Sequence, residues 1–298
     1  MNHPAASLRP ASRRAFTLVE MMVTVGIIAL LLGILLVGLR SALGSGNRTR
    51  EISNLRQLYY AWQMYSTSNA EQILPGRIDE NVQQLWRVKW RDARGNDVPR
   101  SDAVDYPWRL AAYTEFSWEI FAGYRPDPIE ELAEVPVATV AREPAFGYNS
   151  IYVGGEWTAT SPTGPARLRF DSIAQPGFNN LVARTQGAIL RPDQQVIFAA
   201  STRRTPGLYK GAGYELAPGA SGVRPPFVAE QAVWRLGLGG DPNIEVVVTG
   251  DVPFTRYGQA VATLLGDGSA QPLSLGELSD MRRWSNQADT RGWTHPAE

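Results

Sequence analysis

The chain has no cysteine among its 298 residues. Disulfides, thiolate nucleophiles and zinc–thiolate sites are therefore excluded, and the protein can work in an oxidising compartment without needing oxidation. Histidine is nearly absent too: only His3 and His295 occur, one near each end. A Ser-His-Asp or Cys-His apparatus thus lacks its base in any expected core. There is no excess of charge, with Lys+Arg and Asp+Glu both at 29 and a formal net charge of zero. That balance gives no electrostatic case for a nucleic-acid partner, which would need a basic stripe. No glycine motif cradles phosphate, since "GLGGDP" at 237–242 has neither a Lys-Ser/Thr ending nor GxGxxG spacing. Carboxylate pairs such as Glu130-Glu131 or Asp102 and Asp105 could do acid–base work, but charged surface residues are the commoner case. The expected class is a non-enzyme with no bound cofactor.

What the chain does have is one long apolar run. Residues 21–39 carry no charge, and at about 1.5 Å per residue a helix over them covers roughly 28 Å, close to the hydrocarbon thickness of a bilayer. A secretory signal peptide is the rival reading, with Arg9, Arg13 and Arg14 as its basic end and 42–44 as a cleavage site. Its apolar region usually spans only about 7–15 residues. A buried core helix is the second rival, but it would rarely be so uniformly apolar. The single membrane span is the better reading. Basic residues ahead of it favour a cytoplasmic N-terminus, a signal blunted by Arg40, Arg48 and Arg50 on the far side.

Beyond the run, Gly44-Ser45-Gly46 is expected to weaken or kink a helix. Ile52, Leu55, Leu58, Tyr59, Trp62 and Tyr65 then recur at three- and four-residue steps, one apolar face of an amphipathic helix. Packing against a following domain is its expected use; a coiled-coil seam is the alternative. Pro75-Gly76 closes the element. The remainder reads as a mixed head, with helices near 79–88, 107–123, 128–134 and 275–287 and strands at 195–201, 243–250 and 260–267. The segment 216–226 is a Pro/Gly loop. The fold class is α+β: a long N-terminal helix, its first half transmembrane, packed on a head with a small antiparallel sheet.

The stretch "RRAFTLVEMMVTVGIIALLLGILL" resembles the N-terminus of type IV pilins and type II secretion pseudopilins. Phe16, Thr17, Leu18, Val19 and Glu20 all fall in place behind a basic leader, and Ala15 stands where that family usually has Gly. The resemblance covers about the first 55 residues. It implies cleavage between Ala15 and Phe16 by a prepilin peptidase and methylation of the new Phe16 amine. It also implies a leader of 1–15, a helix of 16–69, a head of 70–298 and the pilin architecture. Location in the inner membrane, with a periplasmic head, follows from the same resemblance. Glu20 sits at the mouth of an apolar segment, where an unpaired carboxylate is expensive. The Phe16 α-ammonium would lie one helical turn away and could neutralise it within one chain. In the family the carboxylate is understood to meet the amine of a neighbouring subunit during assembly. An interfacial, partnerless glutamate is the plainer alternative.

Near the other end, "YGQAVATLLGDGSAQPLSLGELSDMRRWSN" resembles the tail of a bacterial pilin-like group with a His followed nine residues later by Asp-Gly. Asp267 and Gly268 match and suit a tight hairpin turn. Tyr257 replaces the His, which argues against any His-dependent role there. Asp251 and Asp267, near strand ends, are candidate calcium ligands, although two such Asp are more often turn residues. Trp86, Trp90, Trp108 and Trp118 could together form a sugar-stacking face, with core or interface as the better reading. Two functions stay open. One is a structural subunit that joins other pilin-like subunits through its N-terminal helix, in a pilus or a secretion pseudopilus. The other is a single-pass envelope protein whose head binds a glycan or a protein without any fibre.

Overall fold

Helix α1 (Leu18–Ser68) is the first element of the chain. The structure, a computed structural model, describes residues 17–123, 136–169, 181–203, 219–228, 231–236, 244–246, 251–256 and 260–295. The protein divides into two compact units, Met1–Ser45 and Gly46–Glu298. The boundary falls within Gly44-Ser45-Gly46, where the sequence predicts a weak point, yet these residues are helical.

In the first unit, Leu18–Leu36 has a mean hydropathy of 2.5 and none of it is buried. Leu18 is 76% exposed and Ile34 67%. A soluble core helix would cover such side chains, because each large aliphatic group gains about 1.5–3 kcal/mol on leaving water. Among the described residues this is the one helix long and apolar enough to cross a membrane.

In the second unit, α1 turns one face inward. Leu55, Leu58 and Trp62 are buried at the spacing that the sequence predicts, Ala61 is buried beside them, and Ile52, Tyr59 and Tyr65 pack against the same core. Arg56, Gln57, Tyr60 and Met64 stay on the outer side.

The rest of this unit is short pieces: β1 (Arg77–Ile78), α2 (Glu80–Leu85), α3 (Pro107–Ala111), α4 (Trp118–Ala122), α5 (Val137–Arg142), β2 (Phe146–Tyr148), β3 (Glu156–Thr158) and β4 (Arg167–Leu168). There follow β5 (Val196–Arg203), β6 (Phe227–Val228), β7 (Gln231–Ala232), β8 (Trp234–Leu236), β9 (Ile244–Val246), β10 (Asp251–Pro253), β11 (Ala260–Leu265), β12 (Ala270–Ser274) and α6 (Leu275–Leu278). The main sheet is antiparallel: β5 pairs with β2, β10 and β11, and β12 extends it from β11. A smaller sheet runs β1–β3–β4, with β1 parallel to β3. Strand β5 is buried from Val196 to Thr202 on both faces, which is why its residues 196–200 are a continuous apolar run rather than an alternation.

Local chemistry sets the ends of these elements. Asp79 caps α2 by accepting from the Val82 amide at 2.8 Å. Pro107 opens α3, where its missing N–H is not needed. Ser274 and Glu277 close a reciprocal capping box on α6.

The structure corrects several boundaries. One helix is expected over 107–123, but α3 and α4 are separate. Glu115 and Phe116 take φ of 51° and 57° between them. That reversal stacks Trp118 edge-on against Trp108 at 4.7 Å and buries Phe121. The helix expected over 275–287 stops at Leu278, and a 3₁₀ turn at Met281–Arg283 follows, capped by Asp280. The helix expected at 128–134 lies outside the described residues, as do 243 and 247–250 of a predicted strand and 216–218 of the predicted loop.

Candidate functional site

The site built from the N-terminal residues begins at Thr17. Its backbone N–H donates to Glu20 Oε2 at 2.8 Å, its hydroxyl donates to the same oxygen at 2.9 Å, and the Glu20 N–H donates back to Thr17 Oγ1 at 3.3 Å. This is a capping box at the head of α1, with Thr17 as N-cap and Glu20 three residues on. The geometry gives a reason for a carboxylate at that position. The first N–H groups of a helix have no intrahelical acceptor, and lipid offers no water to replace one. Glu20 fills that need, and its charge lies at the positive end of the helix dipole. One turn later the Thr24 hydroxyl donates back to the Glu20 carbonyl, so a second polar group is satisfied locally. Among the described residues, Glu20 Oε1 has no partner.

Ala15 and Phe16 lie outside the described residues. Thr17 is the residue that sequence reasoning missed as a contributor. The signal was present: Thr-x-x-Glu directly before an apolar run is the pattern of a capping box.

The second group of singled-out residues belongs to the other unit. Asp267 and Gly268 form the turn between β11 and β12, where Gly268 donates to the Leu265 carbonyl at 3.0 Å and the Ser269 amide donates to Asp267 Oδ1 at 2.8 Å. Gly268 has φ +87°, and a Cβ there would stand 2.5 Å from the Tyr59 ring of α1. The turn therefore needs glycine twice over, for its backbone angle and for the approach of the helix. Tyr257 lies outside the described residues.

Asp251 does not join Asp267. Asp251 pairs with Arg203 at one end of β5, while Leu265, beside Asp267, pairs with Val196 at the other. Seven residues of strand span about 23 Å, and a single calcium ion holds its ligands at about 2.3–2.6 Å, so these two carboxylates cannot share one. Among the described residues, no group of three or more His, Asp or Glu converges.

The four tryptophans considered as a stacking face do not form one. Trp108 is buried, and Trp90 and Trp118 pack with it around Ala103 and Ala141. Only Trp86 is exposed, at 39%, and its ring partner is Trp157.

Two cations, Arg256 partly buried and Arg109 fully, tie segments of the second unit together. Arg256 reaches Glu51 of α1 at 3.3 Å and donates to the carbonyls of Ala145 and Ser201. Burial pushes the Glu51 carboxyl above its ordinary range, and Arg256 only partly offsets this. Arg109 is buried and donates to the carbonyls of Pro75, Gly76, Ala103 and Val104. Burial lowers its pKa to about 10, which leaves it charged at neutral pH. Asp105 beside it is pushed up by burial and drawn back by Arg77 at 3.1 Å.

Comparison with known proteins finds one match, at the N-terminal end of the chain. The family profile described as the prokaryotic N-terminal methylation motif matches residues 10–36. That segment includes Ala15, Phe16, the Thr17–Glu20 box and the apolar helix to Leu36. Neither a curated protein nor a solved structure matches the chain.

Proposed function

We propose that this protein is a structural subunit of the pilin and pseudopilin kind. A prepilin peptidase cuts it between Ala15 and Phe16, the Phe16 amine is methylated, and α1 then carries the subunit from the bilayer into a pilus or a secretion pseudopilus. The observation that carries this reading is the methylation motif at residues 10–36, lying directly over an unburied apolar helix. A bilayer-thick helix that the chain leaves uncovered has two natural surroundings, lipid before assembly and neighbouring helices after it.

Glu20 has a role in both settings. While the subunit is stored in the membrane, Oε2 serves Thr17 and the helix end. During assembly, Oε1 takes the Phe16 ammonium of a neighbour, so that each new subunit is registered by one charge pair in a low-dielectric setting. The head stays on the extracytoplasmic side throughout.

The test is the N-terminal mass of the mature protein purified from membranes. A chain that begins at methylated Phe16 is the expected result. One that still begins at Met1 would overturn processing, and one that begins near Ser45 would make the apolar run a discarded signal.

A further inference from the structure

Beside the C-terminal end of α1 lies a cavity of about 250 Å³ in the second unit. Tyr65, Trp86 and Trp157 supply aromatic walls, Asn69 and Gln72 supply amides, and Arg184 supplies the one charge. Pockets for drug-sized ligands run about 300–1,000 Å³, so this one suits a single ring-sized group. Trp86 and Trp157 meet at 63° with centroids 5.4 Å apart, so the two indoles form a corner rather than a slot. The Trp157 N–H is used internally on the Gly154 carbonyl at 3.3 Å. Gly154 lines the cavity with φ +72°, and a Cβ there would sit 1.9 Å from the Leu74 carbonyl, so its wall at that point is bare backbone.

We propose that this cavity binds one carboxylate-bearing pyranose, a uronate unit of an acidic glycan. Three observations support the assignment. First, aromatic rings offer flat apolar faces to the C–H face of a sugar, while amides and a phenol serve its hydroxyls. Second, the charge is one-sided: Arg184 is exposed, no acidic residue lines the cavity, and among the described residues its guanidinium has no partner. A free guanidinium fork matches a carboxylate bidentately. Third, three of the five non-glycine residues with positive φ among the described ones, Ala70, Glu71 and Arg87, directly adjoin Asn69, Gln72 and Trp86. Such backbone strain concentrates at ligand clamps. A peptide is a poorer fit. It would add to an open strand edge, and β3, which holds Trp157, already has β1 and β4 on its two sides.

The test uses the full-length chain in detergent, titrated with galacturonate and with galactose. These two differ only in a carboxylate or a CH₂OH at one carbon. Binding is read by tryptophan fluorescence and by calorimetry. Galacturonate is expected to bind at least tenfold tighter than galactose, and Arg184→Gln to bring it down to the galactose level. Trp86→Ala is expected to abolish both without moving the thermal midpoint. Equal affinity for the two sugars, no binding of either, or an unchanged galacturonate affinity in Arg184→Gln would overturn the proposal. Tenfold tighter binding of N-acetyltryptophan than of galacturonate would assign the cavity to a peptide C-terminus instead. Arg184→Gln is an exposed change, so the test survives if the Trp86 variant does not fold. The binding readout is independent of N-terminal processing, so its failure leaves the subunit reading standing.

Discussion

At residue scale, the observed cap made by Glu20 and its proposed charge pair are separable by substitution. Glu20→Gln keeps an oxygen to accept from the Thr17 N–H but removes the charge; Glu20→Ala removes both. Both variants are expected to reach the membrane fraction in normal amount, and both are expected to be missing from sheared fibres. If Glu20→Gln assembles normally while Glu20→Ala does not, the helix cap and not the charge pair is what assembly needs. Gly268 makes a second residue-scale case. A substitution to Ala strains a positive φ and pushes into the Tyr59 ring, an expected loss of about 1–3 kcal/mol in chemical denaturation. Gly276→Ala in α6, whose nearest neighbour to the new carbon is Ser274 Oγ at 3.8 Å, is expected to be neutral or slightly stabilising.

Glu51 yields a pH prediction with a definite sign. Its folded-state pKa is raised by burial, so the folded protein binds the proton more tightly than the unfolded chain. The stability Glu51 contributes is therefore fully present below the ordinary carboxylate pKa and is lost as pH rises through the folded value. Measured as a difference, the wild type should lose stability relative to Glu51→Gln as pH rises from about 4 towards neutrality. A flat or rising difference would show that Arg256, not burial, dominates. Arg256→Ala leaves a buried carboxylate without its partner and is expected to cost about 3–5 kcal/mol at neutral pH.

At the scale of elements, α1 is one helix with two different surroundings. Its Leu18–Leu36 stretch is unburied, whereas the part in the second unit presents Leu55, Leu58 and Trp62 to the core. The Trp62 indole donates to the Tyr148 hydroxyl at 3.3 Å, and that hydroxyl donates to the Leu74 carbonyl at 2.9 Å. Helix, β2 and the chain leaving α1 are thus tied through one phenol. Leu58→Ala should cost about 2–5 kcal/mol, because the surrounding core closes such a void only in part. The outer stripe of Arg56, Gln57, Tyr60 and Met64 makes no comparable contribution to the core. Tyr60→Ser should leave the thermal midpoint within a degree or two, and a large drop would mean that this face is covered within the single chain.

At the scale of the whole molecule, the two units differ in what they need from their surroundings. Met1–Ser45 carries the apolar segment, and Gly46–Glu298 has its own core built on β5 and the end of α1. A chain that starts at Gly46 is expected to be soluble and monomeric by light scattering without detergent. Aggregation of that chain would show that the unit depends on the residues removed.

Much of this was legible in the sequence because it depends on local pattern. Nineteen consecutive uncharged residues predict an apolar helix of bilayer length. The three- and four-residue spacing from Ile52 to Tyr65 specifies which helix face is buried, and the continuous apolar run at 196–200 suits a strand covered on both sides. The N-terminal motif needs no tertiary context, since its residues are adjacent in the chain. What the tertiary structure alone decided are meetings between distant residues. Glu51 and Arg256 are 205 positions apart, and no periodicity connects them. Trp86 and Trp157 form a corner because β1 and β3 bring their neighbours into register. Asp251 and Asp267 look like a pair in sequence but are held apart by the length of β5. Local pattern fixes which backbone hydrogen bonds a segment can satisfy by itself, whereas burial, charge pairing and cavities arise only from which segments pack together.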